Sequence, residues 1–327
     1  MRIAVTGSIA TDHLMVFDGK FADSLVMEQL NRISLSFLVE NLQIRRGGVA
    51  ANIAFGLANL GVRPLLVGAV GEDFVDYRAW LDRHGVDCSG VRVSSLLHTA
   101  RFICTTDREQ AQIASFYAGA MAEAREIELA PLGRDQPLDL VVISPNDPVA
   151  MLRHTDECRQ TGVRFAADPS QQLAWSDGEQ IRRLVDGASY LFTNEYEAAL
   201  IEQKSGWSPE EVLGRVGIRI TTHGRDGVLV QGEGVETVRV PAVPAERVAD
   251  PTGVGDGFRA GFLAGLAWGL SPQRCAEVGC MLATLVIETV GPQEYDVGRA
   301  AFLERLAGAY GAEAAAEVGA HLRTLLP

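Results

Sequence analysis

The chain has 327 residues, of which 47% are hydrophobic and 22% charged, a balance that is typical of a globular protein with a sizeable core and that excludes disorder as the main state. Its 29 Lys and Arg against 42 Asp and Glu give a formal net charge of -13. Because such a field repels nucleic acids and anionic lipids, we expect neither a nucleic-acid partner nor a membrane partner.

The basic residues and the cysteines exclude further classes of protein. Lys20 and Lys204 are the only lysines, and neither ends a P-loop or stands in the Val-Ala-Ile-Lys strand of a protein kinase. The 5 cysteines are odd in number and contain no C-x-x-C pair, which argues against a disulfide framework and against a zinc site. Reduced thiols, together with an N-terminus that begins as a strand rather than a signal segment, predict a cytoplasmic protein.

The first predicted element is a strand at residues 3–5, which leads to Ser8 and Asp12. Three later stretches, at 33–39, 99–105 and 112–117, alternate apolar and polar residues as half-buried strands do. We assign these three to a small β-sheet lid, inserted at 13–46 and 97–118, that covers a cleft at the carboxyl ends of the core strands.

Gly47 and Gly48 precede a predicted helix with apolar residues at 50, 53, 57 and 60, which Gly61 ends. Paired glycines let a substrate approach the backbone closely, and Asn52 offers both a donor and an acceptor. Taken alone, the same residues fit equally well a flexible turn before a helix with a polar residue in its first turn.

Between residues 64 and 193, predicted strands alternate with predicted helices. The strands are at 64–70, 138–144, 164–167 and 190–193, and the helices are at 77–84, 150–160 and 180–185. The apolar run at 138–144 is typical of a parallel strand buried on both faces. This alternation predicts one α/β domain over residues 1–327, with a doubly wound, mostly parallel sheet covered by helices.

Two polar segments follow the last of these strands. Asn194 and Glu197 have the spacing of a capping box, and they could equally order water around a magnesium–triphosphate complex. Thr222, Gly224 and Gly227 lie in a strand end and tight turn, which on its own indicates a hairpin and would also suit contact with nucleotide phosphates or ribose.

The strongest signal is the string Asp-Pro-Thr-Gly-Val-Gly-Asp-Gly-Phe-Arg-Ala-Gly from Asp250 to Gly261. Apolar residues at 258, 262 and 266 recur at helical spacing, so Gly253, Val254 and Gly255 are predicted at a helix N-terminus. Free amides there form an anion cradle that needs no lysine. Asp256, in the first turn, would then be a general base for a hydroxyl that attacks a γ-phosphate. A bare G-x-G-D indicates no more than an acidic helix start; the whole string favours function.

These segments, in this order and spacing, resemble the ribokinase-like (PfkB) family of carbohydrate and nucleoside kinases. The resemblance extends over essentially the whole chain, with Val254 standing where alanine is usual. Within the family the chain is most similar to the actinobacterial adenosine kinases, through strings at residues 4–14, 34–38, 99–102, 111–116, 167–173 and 191–194.

The resemblance implies phosphorylation of the 5′-hydroxyl of adenosine to AMP, in purine salvage, with ATP and Mg²⁺. It implies that Asp256 is the general base and that the amides of Gly253, Val254 and Gly255 stabilise the transferred phosphoryl group. The implied substrate contacts are Ser8, Asp12, Ser36, Gly47, Gly48, Asn52, Phe102, Phe116, Gln171 and Gln172. The implied nucleotide contacts are Asn194, Thr222, Gly224, Gly227 and Gly255, with Glu197 on magnesium through water.

Among these contacts, Asp12 would bind the ribose hydroxyls, and Phe102 and Phe116 would stack on the purine. The alternative for the two aromatics is a small hydrophobic core within the lid, a part that we assign to Phe37 instead. Two other functions share most of these residues: a sugar kinase of the same fold, and a nucleoside-binding protein without catalysis. The lid aromatics favour a nucleoside, and the intact Asp256 motif argues against a protein that only binds.

Three further expectations come from the resemblance. Trp175 stands where we expect an arginine in the relatives, so any contact made by that arginine is lost. The sequence is compatible with a potassium site near Asp250 and Thr252, and equally with no such site. Pairing of two lid sheets would make the protein a homodimer.

Overall fold

The computed structural model describes residues 1–24, 32 and 35–322. The strands are β1 (Ile3–Thr6), β2 (Ala10–Val16), β3 (Asn41–Gly47), β4 (Leu65–Gly71), β5 (Asp87–Ser94), β6 (Ala100–Thr106), β7 (Gln112–Tyr117), β8 (Leu140–Ile143), β9 (Arg164–Ala167), β10 (Tyr190–Asn194), β11 (Ile218–Thr222), β12 (Val228–Gly232) and β13 (Val235–Val240). The helices are α1 (Phe21–Ser24), α2 (Val49–Asn59), α3 (Val75–Arg83), α4 (Pro148–Thr161), α5 (Gly178–Val185), α6 (Glu195–Ser205), α7 (Pro209–Leu213), α8 (Val254–Ala267), α9 (Pro272–Ile287), α10 (Arg299–Tyr310) and α11 (Ala312–Gly319).

The larger sheet has nine strands in the order β13-β12-β11-β10-β9-β8-β1-β4-β5. The strands from β11 to β5 are parallel, and β12 and β13 add an antiparallel edge. Strands β1, β4 and β8 are buried along their whole length, as expected for parallel strands covered on both faces. The predicted doubly wound, mostly parallel sheet is therefore confirmed.

Two hydrophobic clusters cover the two faces of this sheet. Helices α2, α8 and α9 contribute Phe55, Phe262 and Met281 to the cluster on one face. Helices α4 and α5 contribute Met151 and Ile181 to the cluster on the other. The sheet is thus held between two helical layers, which fixes the loops at the carboxyl ends of its strands as the place where polar groups converge.

The smaller sheet has four strands in the order β3-β2-β6-β7, and we call it the lid sheet. Strands β2 and β6 are parallel, whereas the other two pairs are antiparallel. Strands β6 and β7 lie where the alternation at 99–105 and 112–117 predicts them. The prediction of a smaller separate sheet is confirmed.

The strand predicted at residues 33–39 is wrong for its described part. Residues 35–39 form no strand, Ile33 and Ser34 lie outside the described residues, and the lid strand that follows is β3. Residues 35, 37 and 39 are partly buried whereas 36 and 38 are exposed, so the apolar alternation reflects burial on one side without pairing. In β3, Leu42 and Ile44 are exposed at 53% and 60%, which is why its pattern does not indicate a lid strand with a buried apolar face.

The five cysteines are all unpaired and buried, as the sequence predicts. Burial raises the pKa of the Cys88, Cys158, Cys275 and Cys280 thiols to about 12, so these side chains pack as small apolar groups. Among the described residues, no helix combines the length and the apolar character needed to cross a membrane.

Gly48 joins the lid strand β3 to α2 in a conformation that a side chain cannot adopt there. Its φ is 93°, and a Cβ atom would lie 2.6 Å from the carbonyl oxygen of Ser8. Gly85 is a matched control, because its φ is 89° and a Cβ atom there would have no heavy atom within 4 Å.

We expect Gly85→Ala to lower the free energy of unfolding by about 1–2 kcal/mol, the cost of a left-handed backbone. Gly48→Ala should lower it by roughly 1–3 kcal/mol more, because the backbone of residues 8–10 must also shift. Urea denaturation of both variants measures the difference. Equal losses would show that the contact with Ser8 carries no cost.

Candidate active site

Helix α8 begins with the glycine-rich string, as predicted. Gly253 has φ 77°, and a Cβ atom there would lie 2.5 Å from Cβ of Pro292, so glycine is required. The first regular helical bond runs from Gly257 N to Gly253 O at 2.9 Å. The amides of Gly255 and Asp256 precede it and have no partner within the helix. This helix start can therefore bind an anion.

Asp256 lies in the first turn of α8, and its carboxyl is partly buried. Its Oδ2 accepts a hydrogen bond from Nδ2 of Asn52 at 2.8 Å. Burial raises the pKa of Asp256 to about 7, an effect to which Asp168 and Glu197 add and which the Asn52 bond and Arg259 oppose. A carboxyl that ionises near neutral pH is suited to take a proton from a hydroxyl.

Arg259 supplies the positive charge beneath this site. Its buried Nη2 lies 2.6 Å from Oδ1 of Asp168 and 3.9 Å from Oε2 of Glu197, and its Nη1 donates to Gly255 O at 3.0 Å. Burial raises the pKa of Asp168 to about 6, against the effect of Arg259. One guanidinium thus faces the carboxyl groups of Asp168, Glu197 and Asp256.

Sequence reasoning did not single out Arg259 or Asp168. Arg259 lies three positions after Asp256, a spacing that places both side chains on one face of a helix. Asp168 directly follows β9, at the edge where the carboxyl ends of parallel strands meet. These two placements are the signals that could have indicated a charge pair.

Asn194 and Glu197 form the predicted capping box at the start of α6. Glu197 Oε2 accepts from Asn194 N at 2.8 Å, and its Oε1 accepts from Ser170 Oγ at 3.2 Å. The capping interpretation is confirmed. Because both carboxylate oxygens already have protein donors, Glu197 fits contact with a hydrated magnesium ion better than direct ligation. The described part of the chain contains no group of three His, Cys, Asp or Glu residues that could hold a metal ion.

The structure brings Asn194 and Thr222 side by side, as register partners at the carboxyl ends of β10 and β11. Gly224 opens the turn between β11 and β12, and these strands pair as the predicted hairpin. Gly227 has φ 96°, and a Cβ atom would lie 2.0 Å from Val240 O, so this glycine is required by packing.

A cavity of about 530 Å³ lies between the lid sheet and the loop before α8. Its lining includes Asp12, Phe102, Arg45, Asp250 and Thr252. A Cβ atom on Gly47 would lie 3.1 Å from Oδ2 of Asp12, so the glycine leaves the space beside this carboxyl open. Burial raises the pKa of Asp12, and the nearby Arg45 opposes that rise.

One row of side chains crosses the lid sheet from edge to edge. Asp12 is the register partner of Arg45 on one side and of Phe102 on the other, and Phe102 is the partner of Phe116. Residues directly opposite one another share a face of the sheet, so a carboxylate and two aromatic rings lie side by side. Phe37 packs elsewhere, with its ring centroid 4.8 Å from that of Phe17, as predicted for an aromatic of the lid core.

Other residues predicted to contact substrate already have protein partners or face solvent. Ser8 Oγ accepts from Val49 N at 3.0 Å and so caps α2, and Gln172 Nε2 donates to Asn146 O at 2.8 Å. Ser36 and Gln171 are exposed. Trp175, which stands where we expect an arginine in the relatives, is 85% exposed, and nothing in its surroundings explains such a difference. For these residues, substrate contact stays a prediction.

Asp250 is already neutralised within the chain. Its Oδ2 lies 3.2 Å from Arg45 Nη1 and accepts from Gly291 N at 3.1 Å, while its Oδ1 accepts from Thr252 N at 2.9 Å. Burial works to raise the pKa of Asp250, but these donors and the Arg45 charge hold it below its ordinary value. A monovalent cation at this carboxylate would therefore compete with a tethered guanidinium.

The carboxyl of Asp256 has a pKa raised to about 7 and lies at a helix start that can bind an anion, near the cavity under the lid sheet. Such a carboxyl can activate a hydroxyl for transfer of a phosphoryl group. A model of the pfkB family of carbohydrate kinases matches residues 12–297. The chain belongs to this family, and it is a kinase with the ribokinase-like fold. The family predicted from the sequence is confirmed.

Several proteins similar to this chain are nucleoside kinases. The nucleoside kinase of Methanothermobacter thermautotrophicus is 29% identical over 286 residues, which are 86% of this chain and 91% of that protein. The structure of Burkholderia thailandensis nucleoside kinase in complex with inosine has 35% identity and a TM-score of 0.82, covering 94% of this chain and 99% of that one. The Methanocaldococcus jannaschii nucleoside kinase structure has 25% identity and a TM-score of 0.82, with coverage of 94% and 99%.

Proposed function

We propose that this kinase transfers the γ-phosphoryl group of ATP to the 5′-hydroxyl of adenosine and so produces AMP for purine salvage. The row of Asp12, Phe102 and Phe116 across the lid sheet carries the proposal. The carboxylate of Asp12 can accept hydrogen bonds from the ribose hydroxyls, and the adjacent rings can stack on a purine. The similarity to nucleoside kinases, one of them bound to inosine, supports the same substrate class.

Asp256 would begin the reaction by taking the proton of the 5′-hydroxyl. The oxygen then forms a bond to the γ-phosphorus while the bond between that phosphorus and the β–γ bridging oxygen breaks, and ADP leaves with the electron pair. The amides of Gly253, Val254 and Gly255 would stabilise the charge that develops on the transferred group, and Val254 N would then give up its 3.4 Å hydrogen bond to Pro251 O. At the start of the reaction, Asn52 donates a hydrogen bond to Asp256.

We place the nucleotide along the carboxyl ends of β10 and β11, against Asn194, Thr222 and Gly224. Arg259 connects this edge with Gly255. Its guanidinium lies 3.9 Å from Glu197, which follows β10, and it donates to the carbonyl oxygen of Gly255. Magnesium bound to the triphosphate would neutralise phosphate charge, and Glu197 would hold one of its water molecules. We leave potassium out of the proposal, because Arg45 already neutralises Asp250.

The proposal includes a homodimer formed through the outer face of the lid sheet. Leu42, Ile44, Ile103 and Ile113 lie on this face and are exposed at 53%, 60%, 37% and 47%. Pairing with a second copy would bury these side chains. The five unpaired cysteines support a cytoplasmic location for the enzyme.

The first test compares acceptors under identical conditions. ADP formation from ATP and Mg²⁺ is measured with adenosine, inosine, guanosine, ribose and fructose. We expect adenosine to have the highest kcat/KM, and every nucleoside to exceed ribose and fructose, because the aromatic row stabilises only acceptors that carry a base. A higher kcat/KM with inosine or guanosine would overturn adenosine as the substrate and keep the nucleoside class. A higher kcat/KM with ribose or fructose would instead assign a sugar kinase, and no turnover with any acceptor would favour a binding protein.

Phe102→Ala tests base stacking, with Leu96→Ala as control. Leu96 lies in the loop before β6, is 87% exposed and belongs neither to the cavity lining nor to the proposed dimer face. Loss of one stacked ring costs about 1–3 kcal/mol, so we expect KM for adenosine to rise about five- to 150-fold with little change in kcat. Steady-state kinetics of both variants provide the measurement, and an unchanged KM in Phe102→Ala would refute stacking.

Asp256→Asn tests the general base, with Asp76→Asn as control. Asp76 also lies in the first turn of a helix, α3, but it is exposed and does not line the cavity. We expect Asp256→Asn to lower kcat by about 10²–10⁴-fold with the fold intact. A decrease of less than about threefold is too small for a lost base and would overturn the assignment.

The same variant tests the ionisation of Asp256. The pKa of this carboxyl is raised to about 7, and only the ionised form accepts a proton. In the wild type, kcat should therefore fall about tenfold per pH unit below pH 7 and level off above it. Asp256→Asn should lose this acid limb, whereas Asp76→Asn should keep it.

A further inference from the structure

A buried chain of hydrogen bonds leads away from Asp256 through Asn52. Asn52 Nδ2 donates to Asp256 Oδ2 at 2.8 Å, and Asn52 Oδ1 accepts from Gln293 Nε2 at 2.9 Å. Gln293 Nε2 also donates to the hydroxyl oxygen of Tyr77 at 2.5 Å, and that hydroxyl donates to Gly47 O at 2.8 Å. The chain joins α2, α3, α8 and the loop after α9, so residues more than 200 positions apart meet at the proposed base.

The direction of every hydrogen bond in this chain is set by the carbonyl oxygen of Gly47, at the end opposite Asp256. A backbone carbonyl can only accept, so Tyr77 must give its single proton to Gly47 O. The Tyr77 oxygen then accepts, which turns the NH₂ group of Gln293 toward Tyr77 and Asn52. Asn52 must therefore present Oδ1 to Gln293 and Nδ2 to Asp256. An amide on its own could be placed either way round, but this network allows one orientation.

Burial makes the opposite orientation costly. Tyr77, Gln293 and Asn52 are exposed at only 5%, 1% and 6%, so water cannot replace a missing partner. Turning the Asn52 amide over would set its NH₂ group against that of Gln293 and its oxygen against the carboxylate of Asp256. Unmade hydrogen bonds of this kind cost about 1–3 kcal/mol each when buried.

We propose that Gln293, itself oriented by Tyr77, is a positioning residue that holds the Asn52 amide so that it always donates to Asp256. Neither Gln293 nor Tyr77 lines the cavity under the lid sheet, and their hydrogen bonds reach Asp256 through Asn52. The proposal rests on the proposed function only in taking Asp256 as the base. It applies to whichever hydroxyl the enzyme phosphorylates.

The other charged groups around Asp256 are unchanged by a substitution at position 293. Arg259 on α8 lowers the pKa of Asp256, whereas Asp168 after β9 and Glu197 on α6 raise it. A donor to the ionised form lowers the pKa of a carboxyl. Loss of the oriented Asn52 donor should therefore raise the pKa of Asp256 above its present value of about 7.

Gln293→Met tests this, because methionine has a similar length and neither donates to Asn52 nor adds a charge. We expect the acid limb of the kcat–pH profile to move up by about 0.5–1 unit, which lowers kcat about two- to fivefold at pH 7 and leaves it near the wild-type value at pH 9. KM for both substrates should stay within about twofold, since substrate contacts are intact. The profile is measured with whichever acceptor the wild type phosphorylates.

Tyr77→Phe is the second variant, and Tyr295→Phe is its matched control. Tyr295 is also a buried tyrosine near Asp256, but it lies outside the chain of bonds. Tyr77→Phe removes one oxygen and should shift the acid limb in the same direction, whereas Tyr295→Phe should not. The double variant Tyr77→Phe/Gln293→Met should shift it no further than Gln293→Met alone, because both changes act through Asn52.

A measurement that does not depend on enzyme activity distinguishes this proposal from the proposed function. The carboxyl pKa of Asp256 is titrated by ¹³C NMR in protein labelled at aspartate, with the signal assigned by its loss in Asp256→Asn. A rise of about 0.5–1 unit in Gln293→Met supports the positioning role even if no nucleoside is phosphorylated. An unchanged pKa, a kcat lowered equally at every pH, or the same shift in Tyr295→Phe would overturn it.

Discussion

The ion pair between Arg259 and Asp168 is the interaction on which the site depends. Both side chains are buried, and the same guanidinium faces Glu197 and Asp256. Burial raises the pKa of Asp256 to about 7, the carboxyl groups of Asp168 and Glu197 add to that rise, and the charge of Arg259 opposes it. Removing the cation would leave buried carboxylates uncompensated, which is among the most costly changes that a protein interior can undergo.

This balance of charges allows the start of α8 both to bind an anion and to hold a carboxyl that acts as a base. The helix N-terminus attracts anions, and a phosphoryl group bound there would bring negative charge close to Asp256. A carboxylate of ordinary pKa would be ionised but a weak base, whereas one with pKa about 7 is a stronger base that is still half ionised at neutral pH. Burial supplies this rise, and the Asn52 donor limits it.

Local sequence signals predicted the elements that depend on local physics. The start of α8, the Asn194 cap and the hairpin after β11 were all indicated by residues within a few positions of one another. Strand β3 was missed because its apolar residues face outward, and residues 35–39 were misassigned because one-sided burial produces the same alternation as strand pairing. Gln293 and Asn52 are 241 positions apart, so no local pattern could connect Gln293 with the proposed base.

Gly47 links the two ends of the proposed reaction site. Its missing side chain leaves open the space beside the Asp12 carboxyl, and its carbonyl oxygen accepts the Tyr77 proton that sets the direction of the chain to Asp256. It is also the last residue of β3, one position before the cap of the helix that carries Asn52. A displacement of β3 would therefore disturb the Asp12 end and the Asp256 end together. This coupling follows because Gly47 ends the lid strand β3, borders the Asp12 carboxyl and accepts the hydrogen bond of Tyr77.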